Sequence, residues 1–187
     1  MSLKAKLVST ISAFCLVLAL MVVGVLAATQ GTVGLGGTIS FTASDIVGSV
    51  TVAYQNAANS PAGQTQSFDA KTTTIAYEWE TEALQFTKGK AITVTITIAN
   101  DATDRPMYVT FTEGSAQAPV VISGDDASRV TASAITYDTD KKVTSGTAIQ
   151  IPADTDYVFS FTLTAADFDD GISASWSCDF ELNATNG

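Results

Sequence analysis

The stretch Asp167-Phe168-Asp169-Asp170-Gly171 sets three carboxylates beside a turn-forming glycine, the raw material of an oxygen-ligand site for calcium. An EF-hand loop spaces its acids D-x-D-x-D-G and closes on a glutamate at the twelfth position. Here the spacing is D-x-D-D-G, and the twelfth position from Asp167 is Cys178. The pattern therefore departs from that loop and reads as an acidic hairpin turn. No metal site is expected, and Asp167, Asp169 and Asp170 are the residues that would carry calcium if one formed. Glu78 and Glu80 form a second carboxylate pair, but they share the strand face opposite Trp79. A glycosidase needs two carboxylates facing each other across a cleft, so these read as solvated side chains.

The remaining chemistry is defined by exclusion. The chain has no histidine, which removes imidazole zinc sites, Ser-His-Asp and Cys-His catalysis, and the usual general base near neutral pH. Neither G-x-S-x-G nor a P-loop lysine signature occurs. Gly34-Leu35-Gly36-Gly37 has no helix pattern after it and reads as a flexible arm rather than a nucleotide loop. No catalytic residue and no cofactor are expected, and the chain reads as non-enzymatic.

Nine Lys and Arg stand against nineteen Asp and Glu, a net charge of −10. Lys4 and Lys6 lie at the extreme N-terminus, so the rest of the chain is more negative still. Such a surface repels phosphate backbones and anionic membranes, and nucleic acid is excluded as a partner. The charge serves solubility through self-repulsion.

Those two lysines precede an apolar run from Ile11 to Leu26, interrupted only by Ser12, and then Val25-x-Ala27. A basic start, an apolar stretch and a small-x-small site make a secretory signal, cut between Ala27 and Ala28. Retention as an N-terminal anchor is the rival reading, because about 20 apolar residues suffice to cross a bilayer. The Gly-rich, uncharged flank before Asp45 favours cleavage. Residues 1–27 are thus expected to be a hydrophobic signal helix. Residues 28–187 are expected to form one exported domain with a Gly-rich N-terminal arm over 28–37, free of the membrane after signal removal. Cleavage takes away Cys15 and leaves Cys178 without an intramolecular partner.

Beyond the leader the chain is written in twos, the pattern of half-buried strands. Ile39, Phe41 and Ala43 alternate with polar residues, as do Val50, Val52 and Tyr54, and Ile75, Tyr77 and Trp79. Ile92, Val94, Ile96 and Ile98 face away from Thr93, Thr95 and Thr97. Met107, Val109 and Phe111 continue the series, then Tyr157, Phe159, Phe161 and Leu163. In Ser173–Leu182, Ala174, Trp176, Cys178, Phe180 and Leu182 share one face, so Cys178 reads as a buried small hydrophobe. Asn-Ala-Ala-Asn-Ser-Pro, Asn-Asp-Ala-Thr-Asp-Arg-Pro, Asp-Thr-Asp-Lys-Lys and Pro-Ala-Asp-Thr-Asp supply turns. Many short strands with one wet face predict an all-β fold: an antiparallel two-sheet sandwich, jelly-roll-like, with Trp79, Trp176, Phe159, Phe161 and Cys178 in its core.

The leader ending "VGVLAATQG" and running into "GGTISFTASDI", the pair "KGKAITVTITIANDATDRPMYVTF" and the terminal "DYVFSFTLTAADFDDGISASWSCDFELN" resemble the TasA and camelysin-type secreted proteins of Gram-positive bacteria. The resemblance implies a jelly-roll subunit, exported to the cell surface and assembled into extracellular fibres of a biofilm matrix, the N-terminal segment of one subunit pairing as a strand with its neighbour. Thr32, Val33 and Leu35 are the residues suited to that assembly strand, and the partners expected are further copies or other surface proteins. Camelysin-type members have been called metalloproteases, a label that a chain without histidine does not support. A monomeric exported module binding glycan or calcium at its loops is the alternative.

Overall fold

The structure, a computed structural model, describes residues 33–69, 74–87, 90–115, 118–166 and 172–185. The leader 1–27, the cleavage pair Ala27 and Ala28, Thr32, and the acidic residues Asp167, Asp169 and Asp170 lie outside them.

Alternation of apolar and polar residues puts one face of each strand inward, and two sheets bury those faces against each other as a sandwich. The first sheet runs, edge to edge, β11 (Ile149–Ile151), β6 (Met107–Phe111), β13 (Ser175–Asn183), β1 (Val33–Ser44) and β4 (Thr74–Phe86), with β7 (Val120–Ser123) also on β13. The second runs β10 (Lys141–Lys142), β9 (Thr136–Tyr137), β12 (Thr155–Ala165), β5 (Ile92–Asn100), β2 (Val47–Gln55) and β3 (Gln64–Asp69), with β8 (Val130–Ala132) also on β12. A single 3-10 turn, Ala127–Arg129, is the only helical element among the described residues.

The faces fall as the alternation predicts. Along β5 every second residue from Ile92 to Ile98 is buried, with Thr93, Thr95 and Thr97 on the wet side. Trp79, Trp176, Phe159, Phe161 and Cys178 are all buried. Aromatic rings lock the two sheets edge to face: Phe111 on Phe159 at 5.3 Å, Phe161 on Trp176 at 5.7 Å, and Phe41 on Phe68 at 5.9 Å between centroids. Each such pair contributes roughly 0.5–1.5 kcal/mol beyond the area it buries. Among the described residues the buried core runs from Leu35 to Leu182.

The all-β two-sheet sandwich is the fold expected from the sequence, and three features refine that reading. The sandwich is not wholly antiparallel, because β1 lies parallel to β13, from Gly36 beside Ser175 to Ser44 beside Asn183. The first and last strands thereby meet in the middle of one sheet, a pairing that alternation cannot specify. Second, β12 and β13 belong to different sheets although they follow one another in sequence. Third, β3 was not legible, since only Phe68 of its six residues is buried; a polar edge strand has no amphipathic signature.

One buried polar residue among the described residues, Asn100, holds a connection between sheets. Its Nδ2 donates to the carbonyls of Arg105 (3.0 Å), Ile151 (3.3 Å) and Pro152 (2.9 Å), and its Oδ1 accepts from the Ala102 N–H at 3.2 Å. The amide's two N–H donors serve three carbonyls, one hydrogen being shared, and its oxygen accepts, which makes Asn100 a clasp for the β5–β6 crossing rather than a site.

Candidate functional site

The described interior is hydrophobic apart from Asn100. Cys178, the described thiol, is fully buried, and burial pushes its pKa well above the ordinary 9.0, with Asp179 and Glu113 adding to the shift. It is an inert core atom, not a nucleophile. Among the described residues no three carboxylate or thiol groups converge as a metal site.

The N-terminal strand is placed differently from a flexible arm. Val33 pairs with Phe86, Gly34 with Gln85 and Leu35 with Leu84, all in antiparallel register on β4. Leu35 is buried. Over Val33–Gly37 the expectation of an arm is therefore corrected. Gly37 is there for closeness, since a Cβ at that position would overlap the Trp176 indole. The register slips between Leu35 and Gly37, where β4 carries an extra residue against β1. Such a bulge bends and twists the strand locally.

β4 is the longest strand described and stands at the edge of its sheet. Its C-terminal end is covered: the Ala58 N–H donates to the Gln85 carbonyl at 2.7 Å, and the Asn59 side chain bonds the Gln85 N–H and the Ala83 carbonyl, both at 3.1 Å. Over Thr74–Glu80 no described strand lies outside it. Ladder alternation turns the main-chain groups of Ala76, Glu78 and Glu80 outward there. Glu78 and Glu80 are exposed, and charged side chains on an edge discourage indiscriminate pairing.

The outer face of this sheet is acidic. The Ser40 hydroxyl donates to Asp179 Oδ1 at 2.5 Å and the Ser177 hydroxyl to Glu113 Oε2 at 2.6 Å, while Glu78 and Glu181 flank them. The opposite face of the sandwich is built mainly on rows of threonine and serine along β2, β5 and β12, with Thr51 and Thr65 hydroxyls 2.9 Å apart.

The most site-like concavity, about 430 Å³, lies at the far edge of the second sheet. β9 pairs with β12 only at Tyr137–Phe159 and Thr136–Ser160, then turns away through Asp138, Thr139 and Asp140. All three of these residues have positive φ (40°, 58° and 77°), an uncommon conformation outside glycine. The departure leaves a notch beside Asp156–Val158. Tyr137 and Tyr157 stack at its base, 6.0 Å apart, with Tyr137 also 5.5 Å from Phe159. Lys141 Nζ reaches Asp138 Oδ2 at 2.7 Å and lies 5.9 Å from the Tyr137 ring centre. The hydrogen bond to Asp138 raises the lysine pKa. Sequence reasoning treated Asp138–Lys142 and Pro152–Asp156 as turns only. Tyr137-Asp138-Thr139-Asp140 and Asp154-Thr155-Asp156-Tyr157 are turn chemistry and do not by themselves mark a concavity.

No family model matches the chain, and no curated protein does. Among solved structures, the yeast delta-COP-I mu-homology domain is returned at 11% identity, the alignment covering 81% of this chain and 96% of that one, with a TM-score of 0.19. The same domain complexed with a Dsl1 WxWxV peptide is returned at 10% identity, 82% and 96% coverage and the same TM-score. At that score neither supports a statement about fold, ligand or partner.

Proposed function

We propose that this chain is an exported, non-enzymatic structural or adhesive protein of the cell surface that assembles with further copies into extracellular fibres through its N-terminal segment. The observation that supports the reading best is the edge of β4: a long strand in a well-packed sandwich whose outward main-chain groups over Ala76–Glu80 have no described strand beside them. An unpaired edge is a template for a strand from another chain, and main-chain hydrogen bonds supply the affinity. Because Val33 and Leu35 are already paired within the chain, donation uses residues before Val33, or exchanges the start of β1 between copies. Glu78 and Glu80 on the receiving edge oppose assembly at low ionic strength, so salt or calcium favours it.

The test is sizing and electron microscopy of residues 28–187 at low salt, at high salt and with calcium, beside the variant Ala76→Pro. Proline on an outward edge position removes one free N–H and leaves the β1 ladder intact. Fibres that form at high salt and vanish in Ala76→Pro support the reading; monomers under every condition overturn it.

A second reading, a monomeric binding module, has the concavity beside Tyr137 and Tyr157 as its specific support. Binding by a monomer that never assembles would favour it.

A further inference from the structure

We propose that the notch between the Asp138–Asp140 turn and β12 takes an extended cationic peptide segment, added as a short strand beside Asp156–Val158. The inference does not depend on fibre assembly.

The main chain argues first. The Ser133 N–H donates to the Thr162 carbonyl, and the Thr162 N–H to the Ser133 hydroxyl, so the even-numbered residues of β12 direct their main-chain groups toward this edge. Ser160 meets Thr136 there. The next two, Val158 and Asp156, meet no described strand because the chain has left through the left-handed turn. They offer donors and acceptors at strand spacing, which is what an added strand requires.

The side chains then specify the occupant. Val158 is 50% exposed and is the one large hydrophobic side chain left exposed among the described residues. Asp156 lies two residues away on the same face, so an incoming strand meets a carboxylate and an apolar patch at neighbouring same-face positions. Asp138 is paired with Lys141, whereas Asp140 and Asp156 have no ion pair among the described residues. The lysine beside Tyr137 shows the kind of group this wall accepts: an ammonium held by a carboxylate near an aromatic ring.

Other occupants fit less well. Anions are repelled, because the notch is lined by Asp138, Asp140 and Asp156 and by no lysine or arginine. A second copy of this chain brings a net charge of −10. A saccharide needs an open aromatic platform, but Tyr137 and Tyr157 are stacked on each other, with Lys141 near Tyr137.

The experiment titrates the full chain, in nonionic detergent, with a short peptide in which Lys and Val alternate with Thr. Three matched probes accompany it: the same peptide with Glu for Lys, the same peptide N-methylated at alternate amides, and a neutral gluco-oligosaccharide. The lysine peptide is expected to bind and the glutamate peptide not. N-methylation is expected to weaken binding about tenfold through lost main-chain hydrogen bonds. The double variant Asp140→Asn/Asp156→Asn is expected to weaken it about fivefold. Asp45→Asn/Asp125→Asn, two exposed loop carboxylates away from the notch, is expected to leave peptide binding unchanged. Equal binding of the N-methylated peptide overturns the added strand. Equal loss in the Asp45/Asp125 variant overturns the site in favour of diffuse attraction to an acidic surface. Oligosaccharide binding that is lost in the Asp140/Asp156 variant, with no peptide binding, overturns the occupant in favour of glycan.

Discussion

Gly37 and Trp176 are register partners on the parallel strands β1 and β13, and the indole sits where a side chain on residue 37 would be. The glycine run that a sequence reader assigns to flexibility is thus partly a packing device. Gly36, one residue earlier, has no atom within 4 Å of the place its Cβ would take.

The two glycines should therefore respond oppositely. Gly37→Ala should lower stability by about 1–3 kcal/mol, because the new methyl must displace a buried indole. Gly36→Ala should be neutral or stabilising by up to about 1 kcal/mol, since it restricts the unfolded chain without a native clash. Urea unfolding of both variants decides it, and equal effects would mean that the β1–β13 pairing is misplaced.

Trp176 is 1% exposed and packs edge to face on Phe161 across the sheets. Trp176→Ala should cost about 3–5 kcal/mol by opening a cavity that the surrounding β-structure cannot close. A loss below about 1 kcal/mol in denaturant unfolding would contradict its place in the core.

The Asn100 clasp should show in a change of one functional group. Asn100→Asp keeps the acceptor for the Ala102 N–H but turns a carboxylate toward the carbonyls of Arg105, Ile151 and Pro152. A loss of about 2–3 kcal/mol at neutral pH is expected, relieved on acidification as the side chain protonates and regains a donor. Denaturant midpoints at two pH values measure both parts.

Burial of Cys178 gives a reporter of unfolding. In a chain whose Cys15 is replaced by Ser, a thiol reagent should label Cys178 only at the rate of global opening. Its pKa is raised in the folded state, so the folded chain holds the thiol proton more tightly than the unfolded one. That contribution is complete below pH 9.0, the ordinary thiol value, and is lost as pH rises beyond it, because the unfolded state then releases the proton first. Cys178→Ala should remove this alkaline component. Fast labelling under native conditions would contradict the burial.

Strand identity and facing were legible because pleating is local: successive side chains point to opposite sides whatever the strand pairs with. The period-two runs containing Ile92–Ile98, Tyr157–Leu163 and Trp176–Leu182 therefore announced their own inner faces, and the absence of histidine narrowed the chemistry before any coordinates. Neighbours were not legible. Strands rich in Val, Ile, Phe and Thr present equivalent faces, and only long-range packing selects among them. It set β1 parallel to β13, put β12 and β13 in different sheets, and closed the indole of Trp176 over Gly37. The notch belongs to the same class. Tyr137-Asp138-Thr139-Asp140 and Asp154-Thr155-Asp156-Tyr157 are turn chemistry in one dimension. Tyr137–Asp140 and Asp156–Val158 line one concavity because β9 pairs with β12 for two residues and then departs, leaving an edge that no local pattern encodes.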